Sequence, residues 1–254
     1  MKRKIALITG ATAGIGKACA FKFAENNYDI IITGRRLKQL EEVAKEVKEK
    51  YKADVLALNF DVRKLSETTK AIESIDGKWK AIDVLVNNAG LAVGMNPINE
   101  GVIDDWERMI DTNIKGLLYI TRLVSPLMVE RKQGHIINIG SIAGKETYAN
   151  GNVYCATKSA VDVLSKGIRI DLLKHNIKVT AIHPGAVETE FSIVRFKGDT
   201  NTAANVYKGF KPLTGMDVAE TIYFTTTLPA HVNINEMLVL PTAQANTVHT
   251  YKSV

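Results

Sequence analysis

Short apolar runs alternate with longer amphipathic stretches along almost the whole chain. The runs are typical of buried strands, and the stretches between them carry apolar residues at helical spacing. Strands are predicted at about 5–9, 29–33, 54–60, 82–86, 135–141, 178–183 and 237–240. Helices are predicted at about 15–26, 38–51, 64–78, 104–113, 114–131, 151–175 and 217–227. This regular alternation indicates an α/β fold, a doubly wound parallel sheet of the Rossmann type.

The chain is predicted to form a single domain over residues 1–254. It has a suitable length for one α/β domain, and no linker, repeat or low-complexity segment divides it. A polar segment with glycines, from about 186 to 212, is long for a connection, so we interpret it as a lid over a substrate. Residues from about 242 to 254 form a polar C-terminal tail.

Composition narrows the function classes. Hydrophobic residues make up 46% and charged residues 24%, as in ordinary globular proteins. The net charge is +6, but the basic residues are scattered and lack interleaved aromatic residues, so no nucleic-acid partner is expected. The two cysteines and five histidines show no metal-ligand spacing, so no metal is expected. No apolar run reaches membrane-spanning length, and we predict a cytoplasmic protein without a membrane partner.

A glycine-rich turn follows the first strand and opens the first helix. It contains Gly10, Thr12, Gly14, Ile15 and Gly16. Glycines here allow a phosphate to approach bare backbone at the positively polarised N-terminus of a helix. At this position in an alternating α/β pattern, the turn predicts a dinucleotide site.

Two arginines follow the second strand, where an acidic residue would bind a ribose 2′-hydroxyl. Arg35 and Arg36 come directly after Gly34. Guanidinium groups suit a 2′-phosphate, so this segment favours NADP over NAD. A solvated surface position is the alternative, more for Arg36 than for Arg35.

Small and amide-bearing residues follow the fourth strand, and one asparagine interrupts a helical stretch. Asn87, Ala89 and Gly90 would let an adenosine or ribose pack against backbone. Asn113 lies at the junction of two predicted helices. Asparagine is mildly unfavourable there unless its amide or backbone has another function.

Tyr154 and Lys158 form the pair with the clearest chemical use. They are four residues apart on a predicted helix and therefore share one face. A lysine ammonium about 4 Å away would favour the phenolate by roughly 4 kcal/mol at an effective dielectric of 20, which is about three pKa units. Ser141 ends a predicted strand and could hold a substrate oxygen from the other side. The pair alone also arises easily by chance in a lysine-rich chain with 8 tyrosines.

These motifs occur in order, and together they resemble one known family. They are Thr9-Gly10-x-x-x-Gly14-Ile15-Gly16, Asn87-Asn88-Ala89-Gly90, Asn113, Ser141, Tyr154-x-x-x-Lys158 and Pro184-Gly185. The chain resembles the short-chain dehydrogenase/reductases over nearly its whole length. Segments 88–95, 190–199 and 228–235 are similar to those of the NADP-dependent 3-hydroxy acid dehydrogenases, which oxidise serine, allo-threonine and related acids and can reduce malonic semialdehyde.

The resemblance implies a role for each matching residue. Tyr154 would be the acid/base, Lys158 would lower its pKa and bind the nicotinamide ribose, Ser141 would hold the substrate oxygen, and Asn113 would support a water-linked proton relay. The implied cofactor contacts are the glycine turn for the pyrophosphate, Asp61 and Val62 for the adenine, Asn87 and Ala89 for the adenosine, and Val187 and Thr189, after Pro184-Gly185, for the carboxamide. A seven-stranded sheet and a homotetramer are also implied.

The leading hypothesis is an NADP(H)-dependent oxidoreductase acting on a small 3-hydroxy acid. A broad-specificity carbonyl reductase and a non-catalytic NADPH-binding scaffold remain as alternatives. For the substrate carboxylate we expect Arg195, which lies between apolar residues in the predicted lid. The alternative for Arg195 is an ion pair with Asp199 or Glu190 on the surface, or a contact across subunits.

Overall fold

A computed structural model describes residues 3–253. Its strands are β1 Lys4–Ile8, β2 Tyr28–Gly34, β3 Val55–Asn59, β4 Val84–Asn87, β5 Gly134–Ile139, β6 Ile177–Pro184, β7 Val187–Glu188, β8 Leu213–Thr214 and β9 Glu236–Val239. Seven of them form one sheet in the order β3-β2-β1-β4-β5-β6-β9, and each neighbouring pair is parallel. The strand order reverses between β1 and β4, so a crevice is expected outside their carboxyl ends. The predicted Rossmann-type fold is confirmed.

Helices cover both faces of this sheet. They are α1 Gly14–Glu25, α2 Leu37–Tyr51, α3 Leu65–Glu73, α4 Ile103–Ile110, α5 Leu117–Arg131, α6 Asn152–Leu172, α7 Phe191–Arg195, α8 Thr200–Asn205 and α9 Gly215–Thr227. Every residue of β2 is buried, as expected for a strand covered on both sides. Its side chains alternate between two cores: Ile30 and Ile32 pack with α1, α2 and α9, whereas Ile31 packs with α3 and α5.

Three predicted helix boundaries differ from the structure. The helix predicted at 64–78 ends at Glu73, and a separate short turn follows at Gly77–Lys80, where Gly77 adopts a left-handed φ of +50°. The predicted break at Asn113 is instead a π-helical segment, Asp111–Gly116, which joins α4 and α5. The long helix predicted at 151–175 ends at Leu172 and continues as a 3₁₀ turn.

The predicted lid has its own secondary structure. It contains β7, α7 and α8, and β7 pairs with β8 just beyond it. Of the predicted single domain at 1–254, residues 1, 2 and 254 lie outside the described part of the chain. Within residues 3–253, no helix combines the length and the apolar composition needed to cross a bilayer.

Candidate active site

A cleft of about 700 Å³ opens at the carboxyl ends of the parallel strands. The glycine turn, the ends of β2 and β3, the loops after β4, β5 and β6, the lid and the C-terminal tail all line it. Most of the predicted site residues meet here: Gly10, Thr12, Gly14, Ile15, Arg35, Arg36, Asp61, Val62, Ala89, Gly90, Ser141, Tyr154, Lys158, Pro184, Gly185, Val187, Thr189 and Arg195. Gly16, Asn87 and Asn113 are not among the lining residues.

The glycine turn presents bare backbone to the cleft. Gly10 and Gly14 have φ values of +66° and +52°, which favour glycine. A Cβ on Gly10 would lie 2.9 Å from the Ala89 Cα, so the two segments touch through backbone. Helix α1 begins at Gly14 with no side-chain cap and no acidic residue in its first turn. Its first N–H groups are therefore available to an anion.

Gly16 and Asn87 have structural positions that differ from the predicted contacts. A Cβ on Gly16 would lie 2.3 Å from the Gly10 carbonyl oxygen, so this glycine allows close packing of helix on turn. Asn87 is buried, and its Nδ2 donates to Thr121 Oγ1 (2.9 Å) and Asn138 Oδ1 (2.8 Å). The side chain is thus held in a buried network away from the cleft, and the predicted adenosine contact of Asn87 stays a prediction. Its neighbour Asn88 lines the cleft and donates to the Thr9 and Gly10 carbonyls.

Asn113 connects the loop after β4 to helix α6. Its Oδ1 accepts from Leu91 N (2.8 Å), and its Nδ2 donates to Leu91 O (2.8 Å) and Thr157 Oγ1 (3.0 Å). This accounts for a buried asparagine in a helical stretch, which sits in a π-helical segment of a kind often found at functional sites. Because both atoms of its amide make hydrogen bonds, the Asn113 side chain positions the loop after β4. The proton relay that the family resemblance implies for Asn113 stays a prediction.

Arg35 lies at the end of β2, beside the end of β3. Its guanidinium is 3.8 Å from Asp61 Oδ2, and its side chain is 52% exposed. Arg63 holds the same carboxylate more tightly, at 2.6 Å. Burial acts to raise the pKa of Asp61, but the hydrogen bonds from Arg63 outweigh it and hold the pKa below its ordinary value. Asp61 is thus paired mainly with Arg63, and the guanidinium of Arg35 retains N–H donors at the cleft.

Arg36 bridges the glycine turn and the lid. Its NH2 group donates to Thr12 Oγ1 at 2.9 Å, and its NH1 group lies 2.9 Å from Glu190 Oε2, next to α7. The Arg36 side chain is nevertheless 44% exposed, so both its role at a 2′-phosphate and the solvated-surface alternative stay open.

Tyr154 lies buried where α6 meets the lid. Its ring centroid is 5.7 Å from that of Phe191 on α7. Burial raises the pKa of its phenol above the ordinary value, while a hydrogen bond with Ser141 acts to lower it. Ser141 is held in turn by the Ala143 N–H, which donates to its Oγ at 3.1 Å. Ser141 and Tyr154 thus line the cleft side by side, and the predicted contact of Ser141 with a substrate oxygen stays a prediction.

Lys158 binds the backbone at the end of β5 and lies beside the Tyr154 ring. Its Nζ donates to the Ile139 carbonyl (2.9 Å) and lies 6.0 Å from the centroid of the Tyr154 ring. Burial lowers the pKa of this ammonium to about 8. Desolvation of the phenol dominates the pKa of Tyr154 and raises it, and the lowering of that pKa by Lys158 stays a prediction.

Arg195, at the end of α7, points into the cleft. Its guanidinium carbon is 5.3 Å from the ring centroids of both Tyr148 and Tyr154, and its NH2 group donates to the Tyr148 hydroxyl. The surface ion pair with Asp199 or Glu190 is wrong, since Asp199 caps α8 and Glu190 binds Arg36. The Arg195 Nε is buried with no hydrogen-bond partner in residues 3–253, so a donor remains for an anion.

The sequence reasoning missed two groups of cleft residues. Tyr148 and Phe191 flank Tyr154, and their aromatic character between two predicted site residues was the available signal. The polar tail also forms a wall: Gln244 Oε1 accepts from Ala186 N at 2.8 Å, and four further residues line the cleft, namely Thr247, Val248, Thr250 and Lys252. Nothing in the aperiodic tail sequence indicated this.

One cluster outside the cleft has the composition of a metal site. Asp162, His183 and Glu236 bring potential ligand atoms within 4.8 Å of one another. The Lys145 ammonium lies 2.9 Å from the Asp162 carboxylate and 2.7 Å from that of Glu236. The lysine therefore supplies the positive charge that these two carboxylates require.

The buried Lys158 makes a testable contribution to stability. Below about pH 8 it is charged in both states, and the folded state carries the desolvation cost. Between pH 8 and the unfolded pKa of about 10.4, the folded lysine loses its proton first and this cost disappears. Relative to Lys158→Met, the free energy of unfolding of the wild type should rise by on the order of 2 kcal/mol from pH 7 to pH 9.5. Urea unfolding measures this, and a difference independent of pH would contradict it.

Known proteins resemble this chain over most or nearly all of its length. The family model described as short chain dehydrogenase matches residues 4–199. A NADP-dependent 3-hydroxy acid dehydrogenase of Salmonella typhi is 49% identical over 242 residues, 95% of this chain and 96% of that protein. One from Schizosaccharomyces pombe is 44% identical over 250 residues, 98% of this chain and 96% of its own.

A solved structure extends the similarity to three dimensions. The closed form of a serine dehydrogenase in complex with NADP+ has a TM-score of 0.91 and 45% sequence identity. The match covers 98% of this chain and 100% of that one. With the family model spanning most of the sequence and relatives of this identity covering nearly all of it, the chain belongs to the short chain dehydrogenase family.

Proposed function

We propose that this chain is an NADP(H)-dependent oxidoreductase that transfers a hydride between nicotinamide and C3 of a small 3-hydroxy acid, such as serine, allo-threonine or 3-hydroxypropionate. One observation carries the proposal: the Arg195 guanidinium lies over the Tyr154 ring, in the same cleft as the glycine turn. A carboxylate bound by Arg195 would have its hydroxyl group near the tyrosine. The relatives named as 3-hydroxy acid and serine dehydrogenases support this substrate class.

The residues that line the cleft are suited to bind each part of NADP. Gly10, Gly14 and Ile15 would hold the pyrophosphate at the uncapped start of α1. Arg35 and Arg36 would hold the 2′-phosphate, and the other predicted contacts that line the cleft would flank the adenine and the nicotinamide. When bound, NADP+ supplies the acceptor for the hydride from C3 of the substrate.

Tyr154 carries the proton in this scheme. In oxidation its phenolate takes the hydroxyl proton of the substrate, and the carbon–oxygen bond becomes a carbonyl as the hydride leaves C3. In reduction the neutral phenol returns that proton to the carbonyl oxygen. Burial raises the pKa of Tyr154, so the phenol is protonated near neutral pH and ready for the reduction direction. Ser141, which lines the cleft beside Tyr154, would orient the same oxygen.

Assembly and location stay predictions. Helix α6 exposes apolar side chains on one face, with Val163 at 66% and Ile170 at 74%, which is consistent with the expected homotetramer. A cytoplasmic location is likewise proposed from composition alone.

Replacing the base tests the function directly. Tyr154→Phe removes only a hydroxyl, so the fold and the affinity for NADPH should persist within about threefold. Turnover of L-serine with NADP+, followed at 340 nm, should fall by ~10²–10⁴, the usual contribution of general acid–base catalysis. Tyr119→Phe, outside the lining of the cleft, is the matched control. Turnover by Tyr154→Phe within tenfold of the wild type would contradict the role of Tyr154 as the acid/base. A wild type that binds NADPH without any turnover would favour the non-catalytic NADPH-binding scaffold.

Cofactor choice depends on the arginines after β2. Arg35→Asp removes a charge-assisted contact worth about 1.5–3 kcal/mol and adds repulsion, so kcat/KM for NADP+ should fall at least tenfold. The value for NAD+ should change by less than about threefold. Lys48→Asp reverses an exposed charge on α2 and serves as the control. A wild type that already prefers NAD+ would refute this reading of Arg35 and Arg36.

Arg195→Leu tests the substrate class. Loss of the carboxylate contact should raise KM for L-serine by roughly tenfold or more, equivalent to at least ~1.4 kcal/mol. A neutral carbonyl substrate should be almost unaffected, because it offers no carboxylate. Equal losses on both substrates would mean that Arg195 supports the lid, and a broad carbonyl reductase would become the better assignment.

A further inference from the structure

A buried carboxylate outside the predicted motifs holds the lid just beyond α7. Lys197, two residues beyond Arg195, places its Nζ 2.7 Å from Asp105 Oδ2 on α4. The Asp105 side chain is only 5% exposed, whereas that of Lys197 is 51% exposed. The nearest other cation to Asp105 in residues 3–253 is Arg108, at 3.8 Å. Since a buried charge without a close partner is costly, this pair should matter more than an ordinary surface ion pair.

A backbone contact joins the lid at the same point. The Gly94 N–H donates to the Arg195 carbonyl oxygen at 3.0 Å. Gly94 has a φ of +73°, and a Cβ there would lie 2.7 Å from Asp105 Oδ2. The loop after β4, helix α4 and the end of α7 therefore meet in a lid joint, made by Gly94, Asp105, Arg195 and Lys197. No residue larger than glycine fits at position 94 without a shift.

The lid joint fixes the arginine that faces the site. Lys197 and the Arg195 carbonyl are both held, so the backbone that carries the Arg195 side chain is anchored on α4 and the loop. Asp105, Arg195 and Tyr154 also line one small pocket that adjoins the cleft. If the joint opened, the guanidinium would lose its fixed position 5.3 Å from the Tyr154 ring.

We propose that Asp105 is a positioning residue for substrate recognition: by holding Lys197, it keeps the Arg195 guanidinium over Tyr154, where it binds the carboxylate of a 3-hydroxy acid. This rests on the proposed function, because it acts through Arg195. Asp105 touches neither substrate nor cofactor in this role. Its removal is expected to weaken the binding of substrates with a carboxylate and to spare those without one.

The test compares Asp105→Asn, Lys197→Met and Lys197→Arg. Asp105→Asn keeps the shape of the side chain and leaves the half-exposed Lys197 free to be solvated, so folding should survive. Both Asp105→Asn and Lys197→Met should raise KM for L-serine about three- to tenfold, with kcat and the KM of a neutral carbonyl substrate changed by less than twofold. Lys197→Arg keeps the positive charge and should therefore retain the wild-type KM for L-serine. Lys45→Met removes an exposed ion pair on α2 and should change nothing.

A double-mutant cycle with Arg195→Leu separates positioning from general stability. In the Arg195→Leu background, Asp105→Asn should have no further effect on KM for L-serine, since there is no guanidinium left to position. An additional loss of the same size, or equal losses on both substrates, would overturn the proposal. So would a normal KM in Asp105→Asn when Arg195→Leu alone raises it. If Arg195→Leu itself leaves KM unchanged, the carboxylate role of Arg195 in the proposed function fails first, and the role of Asp105 fails with it.

Discussion

The side-chain amide of Asn113 is the interaction on which the geometry of the site depends. It satisfies both polar atoms of the Leu91 backbone and donates to Thr157, one residue before Lys158. The loop after β4, the π-helical turn and α6 are thereby held together by three buried hydrogen bonds. Each of them is costly to lose, because the freed partner would stay buried without water. A Cβ on Gly90 would lie 3.3 Å from both Asn113 Oδ1 and Lys158 Nζ, so the spacing is tight as well as hydrogen-bonded.

Positive charge at the two ends of the cleft makes the site suitable for two anions. Arg35 and Arg36 lie at the β2 end, and Arg195 lies at the lid end beside Tyr154. Neighbouring acidic groups engage these cations only in part: Asp61 is held by Arg63, and Glu190 binds one side of Arg36. The guanidinium groups keep donors for a phosphate at one end and a carboxylate at the other. The lid connects both ends, since Glu190 and Arg195 flank the same short helix.

Much of this architecture was predictable from the sequence. The strand pattern predicts the parallel sheet. The reversal of strand order between β1 and β4 then determines where Gly10, Ser141 and Tyr154 meet. The directions of individual side chains were less accessible. Asn87 and Lys158 have the expected positions in the chain, yet Asn87 turns into a buried hydrogen-bond network and Lys158 binds a backbone carbonyl. Contacts between segments far apart in the chain, such as Asp105 with Lys197 or Gln244 with Ala186, leave no periodic signal at all.

The central claim is that the site recognises a carboxylate and oxidises the hydroxyl group on C3 of the same molecule, two carbons away from the carboxylate carbon. Two substrates with the same three-carbon skeleton test it on the wild-type enzyme: 3-hydroxypropionate, which has the carboxylate, and 1,3-propanediol, which has a neutral hydroxymethyl group in its place. A charge-assisted contact of about 1.5–3 kcal/mol predicts that kcat/KM for NADP+ reduction, followed at 340 nm, is at least tenfold higher with the acid. Equal values for the two compounds would contradict the account.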